Sequence, residues 1–487
     1  MEKIKLDLSN LNASFPEHFT QEQVARAKTL FLERLAESVH GFYGGKIQTA
    51  PKAGVFGFNW FNVWYTPGVS KISTTIRDNS DASFDLTNRG NLVAVVSDST
   101  RVLGDGDCTP PGGMGVMEGK AFLMKYLGGV DAVALCMDSR GKNGENDPQK
   151  IIDFVRMAQP SFGAVNLEDI SQPNCYRVLD ELRETCDIPV WHDDAQGTAC
   201  VTLAGLLNAL KLANKKIGEI RIVMLGAGAA NTSVARIFIT AGADPQKMIL
   251  FDVNGALSKN RRDIKSDVRY YRTWELCQST NPGFVSDIEQ AVKGADVLIA
   301  LSKPGPDTVR PAWIRSMAKR SIVFTCANPV PEIYPYAAKE AGAFIVATGR
   351  GDFPNQVNNS LGFPGILKGA LMVRARKITD EMAIAAANAL AQFAEKRGIT
   401  PENIIPKMDE PDVFAFTAAE VAMQAIRDGV ARKMIDRDSA FQKAKIDIEY
   451  SRRMTHQLME SGFIAEPPQA MLNEALDWAV REVERSK

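Results

Sequence analysis

The sequence predicts an α/β fold in which two parallel sheets follow one another and a helical region closes the chain. Three observations carry that expectation. From residue 92 onward, short apolar runs alternate with helical stretches, the pattern of right-handed βαβ units. At residues 220–225 a new apolar run enters a glycine-rich turn, Gly226-Ala227-Gly228-Ala229-Ala230-Asn231. From residue 366 the chain reads as almost wholly helical.

Residues 21–39 read as an amphipathic helix, and a stretch broken by glycine and proline follows through Gly68. Strands are expected at 92–96, 132–137, 163–167 and 188–191. Helices are expected between them at 115–127, 148–157 and 174–184. Pro148 stands in a first turn, where the missing N–H does no harm. A helix rich in Leu and Ala over 202–215 joins this first layer to a second. The second layer has expected strands at 220–225, 248–251, 297–301, 322–325 and 344–347. Helices at 383–396, 415–428 and 468–484 complete the chain.

Composition narrows the function. A chain of 487 residues exceeds one ordinary domain, and two or three are expected. The 57 basic and 58 acidic residues balance to a net charge of -1, which argues against a nucleic-acid binder with its basic stripe. No apolar run approaches the roughly 18 residues of a membrane-spanning helix. The amino terminus, Met1-Glu2-Lys3-Ile4-Lys5-Leu6-Asp7, lacks the apolar core of a signal peptide. Seven dispersed cysteines without a C-x-x-C pair read as reduced thiols of a cytoplasmic protein. The four histidines form no cluster, so a zinc site is not expected. Any metal would rest on oxygen ligands, as Mg²⁺ or Mn²⁺ does.

Two acidic clusters supply such ligands. Asn166-Leu167-Glu168-Asp169 and His192-Asp193-Asp194 each end an expected strand. If those strands are neighbours, their ends lie roughly 5 Å apart, at the edge where open parallel sheets bind ligands. Four carboxylates in one crevice repel, and a divalent cation relieves the repulsion. A single acid there would serve as a helix cap; two clusters on consecutive strand ends favour an ion. His192 reads as a packing or hydrogen-bonding residue.

The glycine turn has the strand–turn–helix context of a dinucleotide site. Gly226 permits the tight turn, and Gly228 lets backbone approach a pyrophosphate. The helix that follows offers unpaired N–H groups and its positive dipole end. Asn231 stands at the third glycine position, so the match is partial. Asp252 ends the next strand, where an acid accepts from the adenosine ribose hydroxyls. That favours NAD, while Arg261 and Arg262 leave room for the 2′-phosphate of NADP. Without ligand, the two glycines would simply make a tight turn.

Two further groups suit proton transfer. Tyr65 lies in a rigid turn, Trp64-Tyr65-Thr66-Pro67-Gly68. Lys120 lies close to an expected helix start, where the dipole lowers a lysine pKa and makes a general base. Alone, each also reads as a packed aromatic or a solvated charge.

Seven motifs stand in one order. They are Tyr65-Thr66-Pro67-Gly68-Val69, Met117-Glu118-Gly119-Lys120, Leu167-Glu168-Asp169, His192-Asp193-Asp194, Gly226-Ala227-Gly228-Ala229-Ala230, Ala327-Asn328-Pro329 and Pro354-Asn355-Gln356-Val357-Asn358-Asn359. From Gly44 to Ala375 the chain resembles malic enzymes of the short prokaryotic type. With the element pattern, the resemblance leads us to expect a substrate- and metal-binding catalytic domain at 1–201 and a Rossmann-type NAD(P)-binding domain at 202–435; the helical pattern alone suggests an extension at 436–487. The resemblance implies oxidative decarboxylation of (S)-malate to pyruvate and CO₂ with reduction of NAD or NADP. Glu168, Asp169 and Asp194 then bind Mn²⁺ or Mg²⁺. Lys120 takes the C2-hydroxyl proton, Tyr65 protonates the enol of pyruvate and Asp193 tunes Lys120. Gly226, Ala227, Gly228, Ala229, Ala230, Asn231, Asp252 and Asn328 belong to the cofactor site. Arg101, Asn358 and Asn359 belong to the substrate site.

The family is usually dimeric or larger. In its short forms an amino-terminal segment completes the neighbour's site, which leaves open the subunit in which Tyr65 acts. Several places depart from the family pattern: the acidic, proline-rich loop from Leu103 to Gly112, the run Asp194-Ala195-Gln196-Gly197, and Asn231. The first forty residues and the tail after Ile435 fit no part of it. The acyltransferase-like domain of longer relatives is not expected. Two other readings stand beside this one: a malolactic-type decarboxylase that retains NAD, and a non-catalytic nucleotide-sensing homologue. Tyr65, Lys120 and the three acids argue against the latter.

Overall fold

The structure is a computed structural model that describes residues 6–102 and 104–485. The first five residues, on which the signal-peptide reading partly rests, and Leu103 of the acidic loop lie outside the described residues.

The chain divides into two compact units, residues 1–50 with 453–487, and residues 51–452. The smaller unit pairs helix Gln21–Tyr43 with helix Gln469–Arg485. A reciprocal cap starts the first helix: the Gln23 N–H donates to the Thr20 hydroxyl, and the Gln23 side chain accepts from the Thr20 N–H. Phe31 and Leu35 share a core with Ala475, Ala479 and Val483. The expected extension at 436–487 is therefore split, because helix Arg437–Glu460 crosses the division.

The larger unit holds both sheets. The first contains β1 (Leu92–Ser97), β2 (Asp131–Cys136), β3 (Ala164–Leu167) and β4 (Val190–His192), all parallel, in the order β2-β1-β3-β4. Side chains of β1 alternate between two cores. Val93 and Val95 pack with Met117, Met124 and Trp191. Ala94 and Val96 pack with Ile151, Ile152 and Val155. Both faces are covered, which is why these strands read as unbroken apolar runs.

The second sheet contains β5 (Ile222–Leu225), β6 (Met248–Asp252), β7 (Gly255–Ala256), β8 (Val297–Ala300), β9 (Ile322–Thr325) and β10 (Ile345–Thr348). Its order is β10-β9-β8-β5-β6-β7, parallel except for β7. The chain leaves β5 first toward β6 and later returns beside it as β8, so the topological switch point lies at the end of β5. That end is Gly226. Helix Thr198–Ala213 joins the sheets, and most of its residues are buried. The boundary expected at 201/202 falls inside it.

Helix Thr109–Gly128 begins six residues earlier than the expected 115, because Pro110 and Pro111 occupy its first turn, where no N–H is needed. Lys120 is thereby moved to mid-helix. The carboxyl-terminal helices Phe363–Met372, Asp380–Arg397 and Val413–Arg427 pack against one another as the apolar pattern implies.

Candidate active site

The site lies at the carboxyl edge of the first sheet. Because β3 and β4 are neighbours with Leu167 opposite His192, the residues after each strand meet. Ligand oxygens of Glu168, Asp169 and Asp194 lie within 4.8 Å of one another. Oxygens on opposite sides of an ion with bonds of about 2.1 Å are roughly 4.2 Å apart. The oxygen-only set has the chemistry of a hard divalent-ion site, and a small contraction would bring all three residues to an ion. Asp169 adopts a left-handed backbone, φ 53°, a strained conformation of the kind found at functional sites. Its N–H donates to Asp194 Oδ2 at 2.7 Å.

Lys120 enters from helix Thr109–Gly128. Its Nζ donates to Asp193 Oδ2 and lies 2.9 Å from Glu168 Oε1. The Phe363 ring packs 4.7 Å from Nζ. Burial works against the ammonium, but Asp193, Glu168 and Asp194 outweigh it and raise the lysine pKa above its ordinary value. The sequence-based expectation was the reverse. Lys120 is not at a helix start, and nearby carboxylates govern its charge.

The two members of the second acidic cluster differ in role. Asp193 is fully buried; its Oδ1 accepts from Trp191 Nε1 at 3.0 Å. Asp194 is about a third exposed. The chain opens into a π turn, Asp193–Gly197, ahead of helix Thr198–Ala213. A Cβ on Gly197 would stand 2.0 Å from Asp193 Oδ1, so only glycine leaves room for that carboxylate. Burial raises the pKa of both Asp193 and Glu168, with Lys120 pulling the other way. Buried His192 has no hydrogen-bond partner on either ring nitrogen among the described residues, and burial lowers its pKa to about 4. It is a neutral packing residue.

Other expected residues are placed as follows. The Arg101 N–H donates to the Asp169 carbonyl at 3.0 Å, and its side chain is exposed. Asn359 lies beside Gly197, 3.3 Å from a Cβ built there. Asn358 instead caps the next turn, its Oδ1 accepting from the Ser360 N–H at 3.0 Å. Tyr65 is 72% exposed, in contrast to the buried Lys120, Glu168 and Asp193.

In the second sheet, Gly226 has φ 93°, and a Cβ there would meet the Leu301 carbonyl at 2.4 Å. Gly228 has open space where its Cβ would be, a cradle that a phosphate can approach. Ala227 precedes helix Ala229–Thr240, whose first turn contains Ala230. Asn231 is buried and turned away from the cradle: its Nδ2 donates to the carbonyls of Leu225 and Gly226 at 3.0 and 2.8 Å. It braces the turn. Asp252 is held by Arg261. Asn328 follows β9, and its carbonyl would lie 2.8 Å from a Cβ on Gly104. The loop after β1 therefore approaches the loop after β9, and the two sheet edges face each other.

Several residues were not singled out from sequence. Asn166 Nδ2 donates to Glu168 Oε2 at 2.9 Å. Buried Asp98 accepts from the Thr100 and Ser139 hydroxyls, each at 2.7 Å. Thr100 in turn accepts from the Ser171 N–H at 2.9 Å, bracing the loops that carry Arg101 and Asp169. Asn166 and Asp98, polar residues in or just after apolar strands, were the available signal. Phe363 gave none, since a phenylalanine in an apolar helix reads as core.

Residues 58–183 match the family model "Malic enzyme, N-terminal domain", and residues 195–427 match "Malic enzyme, NAD binding domain". The chain is 44% identical to a "NAD-dependent malic enzyme" of Geobacillus stearothermophilus, over 80% of this chain and 78% of that one. It is 39% identical to the "Bifunctional malic/malolactic enzyme" of Bacillus subtilis, over 85% and 98%. The solved structure of Entamoeba histolytica malic enzyme superposes with a TM-score of 0.97 at 63% identity, covering 99% of this chain and 100% of that one. Matches to both domain models, in the order of the two sheets just described, show that the chain belongs to the malic enzyme family.

Proposed function

We propose that this protein oxidatively decarboxylates (S)-malate to pyruvate and CO₂, with NAD as hydride acceptor and Mn²⁺ or Mg²⁺ as the metal. The observation that carries the reading is buried Lys120 between Asp193 and Glu168, beside a three-carboxylate set. A divalent ion on Glu168, Asp169 and Asp194 would polarise the substrate oxygens and offset the charge that holds the lysine protonated, and NAD would accept the C2 hydride. Lys120 Nζ takes the C2-hydroxyl proton. Asp193 orients Nζ and keeps its own place through Trp191. Phe363 covers the lysine and keeps water from it. Arg101 and Asn359 hold substrate oxygens, with Asn358 fixing the backbone before Asn359. Asn328 contacts the nicotinamide side. Tyr65 delivers the proton to C3 after CO₂ departs.

Tyr65 belongs to a stretch whose large apolar side chains are exposed, among them Phe56, Phe58, Phe61 and Trp64. Such a patch marks an interface. A second copy of the chain is its occupant, in a homodimer or larger assembly where Tyr65 completes the neighbour's site. The odd, dispersed cysteine set supports a reducing, cytoplasmic compartment. Among the described residues no helix is long and apolar enough to cross a membrane.

Malate, Mn²⁺ and NAD should give steady growth of absorbance at the NADH wavelength, with pyruvate and CO₂ formed in equal amounts. Lactate without an absorbance change would assign the malolactic reaction instead. No turnover with either nucleotide would leave a nucleotide-sensing protein.

A further inference from the structure

Around Asp252, at the end of β6, the hydrogen bonds engage the whole guanidinium group of Arg261, the arginine that touches the carboxylate. Arg261 Nη1 donates to Asp252 Oδ1 at 2.8 Å and to the Gly255 carbonyl at 3.4 Å. Its Nη2 donates to Asp252 Oδ2 at 2.7 Å and to Asp263 Oδ2 at 2.6 Å. Its Nε donates to Asp263 Oδ1 at 2.9 Å. Every N–H of the guanidinium group thus has an acceptor. The trio of two carboxylates and one guanidinium is net negative.

The position matters because the Gly226 N–H donates to the Phe251 carbonyl at 2.8 Å. The glycine turn and Asp252 therefore sit side by side, and the adenosine ribose of a nucleotide in the turn reaches Asp252. Asp252 Oδ1 already accepts twice, from Arg261 and from the Asn254 N–H at 2.8 Å. Oδ2 accepts once, from Arg261, and keeps a lone pair for a ribose hydroxyl.

We propose that Asp263 is a specificity-determining residue: by clamping Arg261 onto Asp252 it makes the site accept a free ribose 2′-hydroxyl and refuse a 2′-phosphate. The assignment rests on reading the Gly226 turn as the dinucleotide site. In NADP-binding relatives of this fold an arginine accommodates the 2′-phosphate. Here the arginine is present but occupied. The Arg261 bonds hold the Asp263 carboxyl down at about 2, so it stays ionised throughout the working pH range. Asp263 is half-exposed, so salt weakens the repulsion but not the bidentate geometry that removes the donors.

The test measures binding to the intact chain by calorimetry, without metal or malate. The probes are 5′-AMP, adenosine 2′,5′-bisphosphate and NAD. The wild type should prefer 5′-AMP to the bisphosphate. Asp263→Asn should shift that ratio toward the bisphosphate by about tenfold, the worth of one hydrogen bond to a charged group. Asp263→Glu, which can reach the same nitrogens, should restore the wild-type ratio. An unchanged ratio in Asp263→Asn overturns the assignment. So does a wild-type preference for the bisphosphate that disappears in Arg262→Ala, since the neighbouring exposed arginine would then make the selection. Failure of the wild type to bind NAD would instead remove the dinucleotide reading beneath it.

Discussion

Replacing Gly197 by alanine sets two effects of opposite sign against each other. Its backbone is ordinary helix, φ -66° and ψ -46°, so alanine should stabilise by roughly 0.5–1 kcal/mol. The new Cβ would stand 2.0 Å from Asp193 Oδ1, whereas a carbon–oxygen contact needs about 3.3 Å. The carboxylate must therefore retreat by about 1 Å, away from Trp191 Nε1 and off the line to Lys120. Losing one buried hydrogen bond to a charged group costs about 1.5–3 kcal/mol, so the side-chain effect wins and the variant is less stable. The effect on rate is larger, because misplacing a catalytic group by about 1 Å lowers kcat by on the order of 100-fold. Steady-state kcat with malate and NAD, thermal unfolding and NAD affinity together read the outcome. NAD affinity should hold, since the Gly226 turn is untouched. A variant with raised Tm and kcat within about threefold of wild type, under 1 kcal/mol of barrier, would refute the reasoning and leave Asp193 idle.

Asp194→Ala should raise the Mn²⁺ concentration needed for half-maximal rate while NAD binding persists; unchanged metal dependence removes Asp194 from the ligand set. Lys120→Ala and Tyr65→Phe should each lose most of the rate, and mixing the two inactive chains should restore turnover if Tyr65 serves a neighbouring copy; a mixture that stays inactive would place both groups in one subunit. Burial pushes the Glu332 carboxyl from its ordinary 4.5 up to about 7, against the N–H groups of Ser302 and Ala327. A carboxyl raised on folding contributes stability that is complete below about 4.5 and lost as pH rises through about 7. Glu332→Gln should therefore flatten the fall in Tm between pH 5 and pH 8; an equally steep fall would show that another group titrates there.

Much of the fold was legible in the residues. Residues 92–96 read as a strand because both faces of the run are apolar; the observed strand is Leu92–Ser97, and both faces are buried. Ends were less legible. The prolines that begin helix Thr109–Gly128 read as a loop, and that error placed Lys120 at a helix start with the wrong electrostatics. The cluster of Glu168, Asp169 and Asp194 was legible because these acids follow two expected strands, and the neighbour relation of β3 and β4 brings them together. Asn231 stands at the position of a motif glycine, and only the folded turn shows that its side chain braces the Leu225 and Gly226 carbonyls from within.

Local pattern, then, is enough to say that this chain builds two parallel sheets and where each sheet edge carries acids or glycines. Periodicity and strand ends depend on neighbours a few residues away. Folding had to choose which of the adjacent acids Asp193 and Asp194 would turn inward to Lys120, 73 residues distant. It likewise paired Gln21–Tyr43 with Gln469–Arg485 from opposite ends of the chain. These outcomes depend on which charges and apolar faces meet after the backbone has closed, and no window of sequence contains both partners.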